Sequence, residues 1–287
     1  MKDLRIHSAM RIAFYIGVAL LITNALSAQL KFERSKEFGV MAVTSYYIGD
    51  VNPYKHFGGD LSLGGGVVYR ENLSKRWSVK GTYIVSRFAA NDANSSDAWR
   101  QNRNLSFRND IREGSIQAEL NYFNYQLANK RNWISPYLFM GLAFYSHKPQ
   151  AEYNGRWYEL QALGTEGQGT TEGGNVYNVN GIAIPFGAGL KMNLFSIVGI
   201  GLEWGMRKTW TDYLDDVSQS YVSPAVLADE NGTLAAILAD RSLVYEGGQA
   251  DNAGLQRGDP GRNDWYNFTT LTLSFRLGKK PTTCWNQ

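Results

Sequence analysis

Alternation of apolar and polar positions, rather than a helical period, runs through the chain. Between residues 115 and 122, Ile116, Ala118, Leu120 and Tyr122 alternate with Ser115, Gln117, Glu119 and Asn121. That period of two marks a strand with two different faces. Residues 198–207 set Val198, Ile200, Leu202, Trp204 and Met206 against Gly199, Gly201, Glu203, Gly205 and Arg207. Residues 270–277 repeat the pattern, as do residues 77–86, broken there only by Ile84. Weaker alternation over 38–48, 61–70, 134–145 and 182–192 brings the predicted strands to eight, the last two being apolar on both faces in places. Each is about the 9–11 residues that a tilted strand needs to cross a bilayer.

The connections alternate in length as well. Short ones fall near 71–76, 126–132 and 193–194; long ones near 49–60, 89–107, 146–180 and 211–264. Short turns at one end and long loops at the other are the plan of an outer-membrane barrel. The predicted fold is therefore all-β: an eight-stranded antiparallel transmembrane barrel with short periplasmic turns and long extracellular loops. An even strand number puts both termini on the periplasmic side. The rival is a soluble sandwich, which would carry Lys and Glu along its outward faces. Here the polar faces are mostly Ser, Thr, Gly, Gln and Asn. Lys80, Glu119, Glu203, Arg207 and Arg276 share them and are expected to form an ion network inside the barrel, because isolated buried charges would cost too much. Aromatics near strand ends (Tyr46, Tyr47, Trp77, Trp133, Trp210, Trp265 and Tyr266) are expected in interfacial girdles.

Residues 1–28 read as a secretory signal peptide. Lys2, Arg5 and Arg11 precede an uncharged run over 12–22, and Ala25-Leu26-Ser27-Ala28 offers cleavage after Ser27 or after Ala28. The run is shorter than the roughly 20 residues of a membrane helix. The expected division is signal peptide 1–28, barrel 29–278 and periplasmic tail 279–287. Charged residues are 19% of the 287, against roughly 25% in soluble domains. Without the leader, 26 cations face 25 acids, which gives no nucleic-acid footprint.

Candidate chemistry is sparse. No G-x-S-x-G elbow, H-E-x-x-H or Walker loop is present. Asp212, Asp215 and Asp216 lack EF-hand spacing and read as a solvated acidic loop. No enzyme activity, metal or cofactor is expected. Charge is unevenly placed: Arg70, Lys75, Arg76, Lys130, Arg131, Lys191, Arg276, Lys279 and Lys280 oppose Glu71 alone in the turns and tail. Loop 211–264 holds ten acids against Arg241, Arg257 and Arg262. The basic side is either a lipid-contact rim or a docking rim for a partner, with Trp285 as an added apolar anchor. Cys284, the sole cysteine, either pairs with another molecule or stays free.

Several stretches resemble the PorG family, small outer-membrane barrels of the type IX secretion system. They begin with Glu37-Phe38-Gly39 and Tyr47-Ile48-Gly49-Asp50, then Phe107-Arg108-Asn109-Asp110-Ile111 with Glu113. Glu119-Leu120-Asn121-Tyr122-Phe123, Pro136-Tyr137 with Gly141, and Ile184-Pro185-Phe186-Gly187 follow. The closing Asn263-Asp264-Trp265-Tyr266, running to Gly278-Lys279-Lys280-Pro281, is the most specific part. Loop 211–264 is long for that family. The resemblance implies a non-enzymatic anchor that ties the periplasmic ring of the PorK lipoprotein and PorN to the outer membrane. Two rivals stand beside it. One is an adhesion or ligand-binding barrel acting through loop 211–264. The other is a lipid-acting barrel enzyme, for which His147 is the only outer histidine near a strand end.

Overall fold

The computed structural model describes residues 34–57, 62–127, 132–194, 197–244 and 251–278. The expected signal peptide, the turn cations Lys130 and Arg131, and the tail with Lys279, Lys280, Cys284 and Trp285 lie outside them. The barrel strands are β1 Ser35–Ile48, β2 Ser62–Asn72, β3 Trp77–Asn91, β4 Ser106–Asn121, β5 Ile134–Tyr153, β7 Asn180–Asn193, β8 Val198–Lys208 and β9 Trp265–Leu277. A short β6, Arg156–Glu159, hairpins back onto β5 beyond the barrel. Every neighbouring pair is antiparallel. β1 pairs with both β2 and β9, and β4 with both β3 and β5, so the eight strands close into a ring.

Closure leaves the eight barrel strands, among the described residues, without an unpaired edge, which is the condition for a β-structure in lipid. The outward faces meet that condition too. Phe38 and Val40 on β1, Tyr83 on β3, Ile116 on β4, Leu138, Leu142 and Phe144 on β5, Leu202 on β8 and Leu271 on β9 are all exposed. Together they make an apolar belt on the outer wall, the kind of surface that lipid covers. The molecule is a transmembrane barrel. The predicted strands are all present. β5 and β4 extend furthest past the predicted limits, each toward its long loop: β5 has 20 residues and β4 has 16. They rise beyond the span a bilayer needs.

Inward glycines make room for rings. A Cβ on Gly189 would sit 2.5 Å from the Tyr137 ring, and one on Gly205 would sit 2.6 Å from Phe139. In the longest loop two short helices, Pro224–Glu230 and Thr233–Ala239, are separated at Asn231 and Gly232. Gly232 takes φ +92°, which favours glycine.

Candidate functional site

The barrel interior has two layers. The one near the short turns is ionic. Inward parity brings Glu37 of β1, Arg70 of β2, Lys80 of β3, Glu119 of β4, Lys191 of β7 and Glu203 of β8 together. Glu119 lies at the centre, 2.9 Å from Arg70 Nε, 2.8 Å from Lys191 Nζ and 3.4 Å from Lys80 Nζ. Arg70 also binds Glu37 at 2.9 Å, and Lys80 binds Glu203. The Tyr137 hydroxyl donates to Glu203 at 2.7 Å. Three cations thus face three carboxylates, and the cluster is neutral.

Of the five residues expected in one network, Lys80, Glu119 and Glu203 meet here. Arg207 does not join them. It pairs with Glu113 at 3.2 Å, further along the barrel. Arg276 is half-buried and donates to the Leu127 carbonyl instead. Glu37, Arg70, Lys191 and Glu113 were not in the expected network. Parity would have found them: Arg70 shares the inward register of Val68, and Glu37 that of Met41.

The layer near the long loops is aromatic. Tyr47 lies 5.9 Å from Phe88 and 5.0 Å from Phe107, and Phe88 stacks 6.1 Å from Tyr266. Tyr47 and Tyr266 are fully buried, so they are not girdle residues, whereas Trp77, Trp133 and Trp210 are exposed. Ile84, which broke the alternation of its strand, belongs to this inner core. His147 is buried against Asn109 at 3.0 Å and presents no ring at the membrane rim.

The long loops close over this layer. Leu160, Leu214, Val217 and Leu238 join the same core. Two buried arginines lace the loops together. Arg103 grips Asp92 through Nε at 2.7 Å and Nη2 at 2.8 Å, and reaches the Asp50 and Arg257 carbonyls. Arg257 binds Glu166 at 2.7 Å and the Ala239 and Asp216 carbonyls. Glu166 in turn accepts the Ser218 amide at 2.8 Å. With the ionic layer below and the cap above, the lumen is filled. Planar-bilayer recordings of the purified barrel are expected to be silent; a stable open state would refute the sealed interior.

Asp212, Asp215 and Asp216 are buried within the cap, contrary to the solvated loop expected. The Tyr47 hydroxyl contacts Asp215 and lies 3.0 Å from Asp264. One hydroxyl proton cannot serve both, so one carboxyl donates back. Burial pushes Asp215 and Asp212 up to about 8 and Asp216 to about 6, and raises Asp264, helped by Asp215 and Asp212. Among the described residues no three His, Cys, Asp or Glu side chains are arranged to hold a metal ion.

These carboxyls keep protons to higher pH when capped than when open to water, so opening releases protons. Cap stability therefore falls as pH rises between the open-state value near 4 and the capped values. Amide exchange in residues 209–244, corrected for its intrinsic pH dependence, is expected to slow several-fold between about pH 9 and about pH 6. Asp215→Asn should flatten the profile; an already flat native profile would contradict this linkage.

The short-turn rim differs from the sequence expectation. Arg70 and Lys191 are inside the barrel, because their side chains share the inward parity, so neither is a rim residue. Lys75 and Arg76 are exposed in the β2–β3 turn, and Arg34 and Lys36 at the start of β1 add two exposed cations outside the turns. Glu71 is half-buried.

No curated protein matches the chain. Among solved structures, Ail, the attachment invasion locus protein of Yersinia pestis, is similar at TM-score 0.38 and 10% identity, over 85% of this chain and 97% of that one. Outer membrane protein OprG from Pseudomonas aeruginosa is similar at TM-score 0.38 and 8% identity, over 86% and 96%. Neisserial surface protein A is similar at TM-score 0.34 and 7% identity, over 85% and 97%. A family model described as "Domain of unknown function (DUF6089)" matches residues 11–227. The match takes in β1 through β8 and the first helix of the cap up to Leu227, and on that extent the chain belongs to the DUF6089 family.

Proposed function

We propose that this barrel is a sealed outer-membrane anchor for a protein secretion machine of the type IX kind, holding the periplasmic ring of PorK and PorN through its short-turn rim. The carrying observation is the filled lumen. With an ionic layer and a laced cap inside, the barrel offers partners only its outer wall and its two ends. The short-turn end presents the exposed cations Arg34, Lys36, Lys75 and Arg76. The resemblance of the strand and tail sequences to PorG supports the same reading, and the basic charge of the turns and tail adds Lys130, Arg131, Lys279 and Lys280, with Trp285 as an apolar anchor, as docking residues. Cys284 is the residue through which a partner would be bridged covalently. An anchor of this kind needs no catalysis and no cofactor.

Charge reversal at Lys75, Arg76, Lys279 and Lys280 is expected to release the ring proteins from the purified barrel at least about tenfold, because several rim charges act together. The barrel should stay heat-modifiable on gels. Retention of both partners after all four reversals would refute the docking rim.

A second reading, binding of a surface ligand, is favoured by one feature of the cap. An open cleft of about 630 Å³ lies between residues 172–175 and 219–223, beside the stacked Tyr177 and Tyr213 rings. Gln219→Trp would narrow it. Lost surface binding with intact secretion would favour this reading over the anchor.

A further inference from the structure

The upper outer wall is not uniform around its circumference. On the β1, β7, β8 and β9 side it is aromatic. The Trp204 indole donates to the Tyr46 hydroxyl at 3.2 Å, and Phe186 meets Trp265 edge-on at 6.0 Å. On β3, β4 and β5 it is cationic. The register sets out the rows above the apolar belt. Tyr83, Gly114 and Phe144 form the last apolar row. Val85, Arg112 and Ser146 come next, then Arg87, Asp110 and Lys148, then Ala89, Arg108 and Gln150.

Two of these cations are internally balanced: Arg87 pairs with Asp110, and Lys148 with Glu159. Arg112 and Arg108 are not. Among the described residues neither forms a salt bridge; Asp110 and Glu152 lie within electrostatic reach of Arg108 without pairing to it. Arg112 is outward and exposed, one row above Tyr83 and Phe144. Arg108 is held in place rather than neutralised. Its Nε donates to Gln150 at 2.8 Å, and its guanidinium lies 3.7 Å from the Trp157 ring centre. Trp157 is itself exposed, with the amphipathic character of an interfacial residue. A guanidinium without a salt bridge directly above a lipid-facing wall is placed to meet an anion at headgroup level, and its planar fork suits phosphate oxygens.

We propose that Arg112 and Arg108, flanked by Arg87, Lys148 and Trp157, form a binding site on the outer wall for a phosphorylated glycolipid of the leaflet at the long-loop end. The spacing favours this headgroup over a single-phosphate lipid. Arg108 and Arg112 are four residues apart on one strand face, about 13 Å at strand rise. That separation fits phosphates carried at two points of a sugar headgroup. The site lies on the barrel wall and is independent of any docking at the opposite rim.

The test uses the folded barrel in phosphatidylcholine vesicles doped with bis-phosphorylated lipid A, its dephosphorylated form, or phosphatidylglycerol. The barrel is affinity-purified through detergent and the retained lipid is measured by mass spectrometry. The native chain is expected to retain bis-phosphorylated lipid A at least about tenfold over the other two lipids. Arg108→Gln with Arg112→Gln should abolish that preference while the barrel stays heat-modifiable, and Arg108→Lys with Arg112→Lys should keep part of it. Equal retention of dephosphorylated lipid A by the native chain would overturn the site without recourse to any variant. Equal retention of phosphatidylglycerol would overturn the two-point headgroup, and undiminished preference in the glutamine variant would overturn the assignment to these residues.

Discussion

Replacing Glu119 with alanine is expected to cost the barrel about 3–5 kcal/mol of unfolding free energy, the range for removing one partner from a buried ion cluster. Among the described residues, Glu119 is the only carboxylate touching Arg70, Lys80 and Lys191 together. Without it, three buried cations share Glu37 and Glu203, and Lys191 keeps no carboxylate among its described contacts. Glu119→Gln should cost nearly as much, since it keeps the shape and loses the charge. Adding Lys191→Met to Glu119→Gln restores neutrality at two against two and should recover a large part of the loss, because residues in one network couple strongly. Urea unfolding in lipid vesicles measures all three variants. A Glu119→Ala loss under about 1 kcal/mol would show that the cluster is not held as a unit.

The second large effect is confined to the cap. Arg257→Ala leaves Glu166 buried without its cation and removes donors to the Asp216 and Ala239 carbonyls. The expected loss is about 3–5 kcal/mol of local closing free energy, with the membrane strands untouched. Protease cleavage between residues 209 and 244 should rise steeply while the trimmed barrel remains heat-modifiable. Arg257→Lys should rescue little, because one ammonium cannot span the three loop segments that the fork joins. Unchanged protease resistance in Arg257→Ala would mean that the aromatic and aliphatic core alone holds the cap. For the same reason, deleting the whole of 211–264 removes Leu214, Val217 and Leu238 from that core and is not a clean test of surface binding.

Much of the barrel was legible because lipid on one side and a packed lumen on the other impose a period of two. Ile116, Leu202 and Leu271 announce the outer face by position alone. The same rule, carried to the strand ends, would have moved Arg70 and Lys191 from the rim to the lumen. A cation next to a turn lies on the face that its parity gives it, whatever the charge of its neighbours. Tyr47 and Tyr266 were misplaced for a related reason: near the loop end the lumen turns aromatic, so aromatic character stops marking the lipid side. The cap was not legible. Nothing local separates Arg257 from Arg241 or Arg262; its burial is set by Glu166, 91 positions away.

The pairing of β1 with β9 has a consequence for how the protein is made. The partners run from Lys36 opposite Leu277 to Ile48 opposite Trp265, the first strand against the last. Until β9 has been synthesised, the whole β1 edge has no mate, and Tyr47 lacks Tyr266 and Asp264 beside it. Closure therefore waits for the end of the chain. Such a long-range first pairing makes assembly slow and leaves an adhesive edge open meanwhile. A version truncated before β9 should be captured by periplasmic chaperones and degraded, while a circular permutant joining β9 to β1 through a short linker should fold faster than the native order.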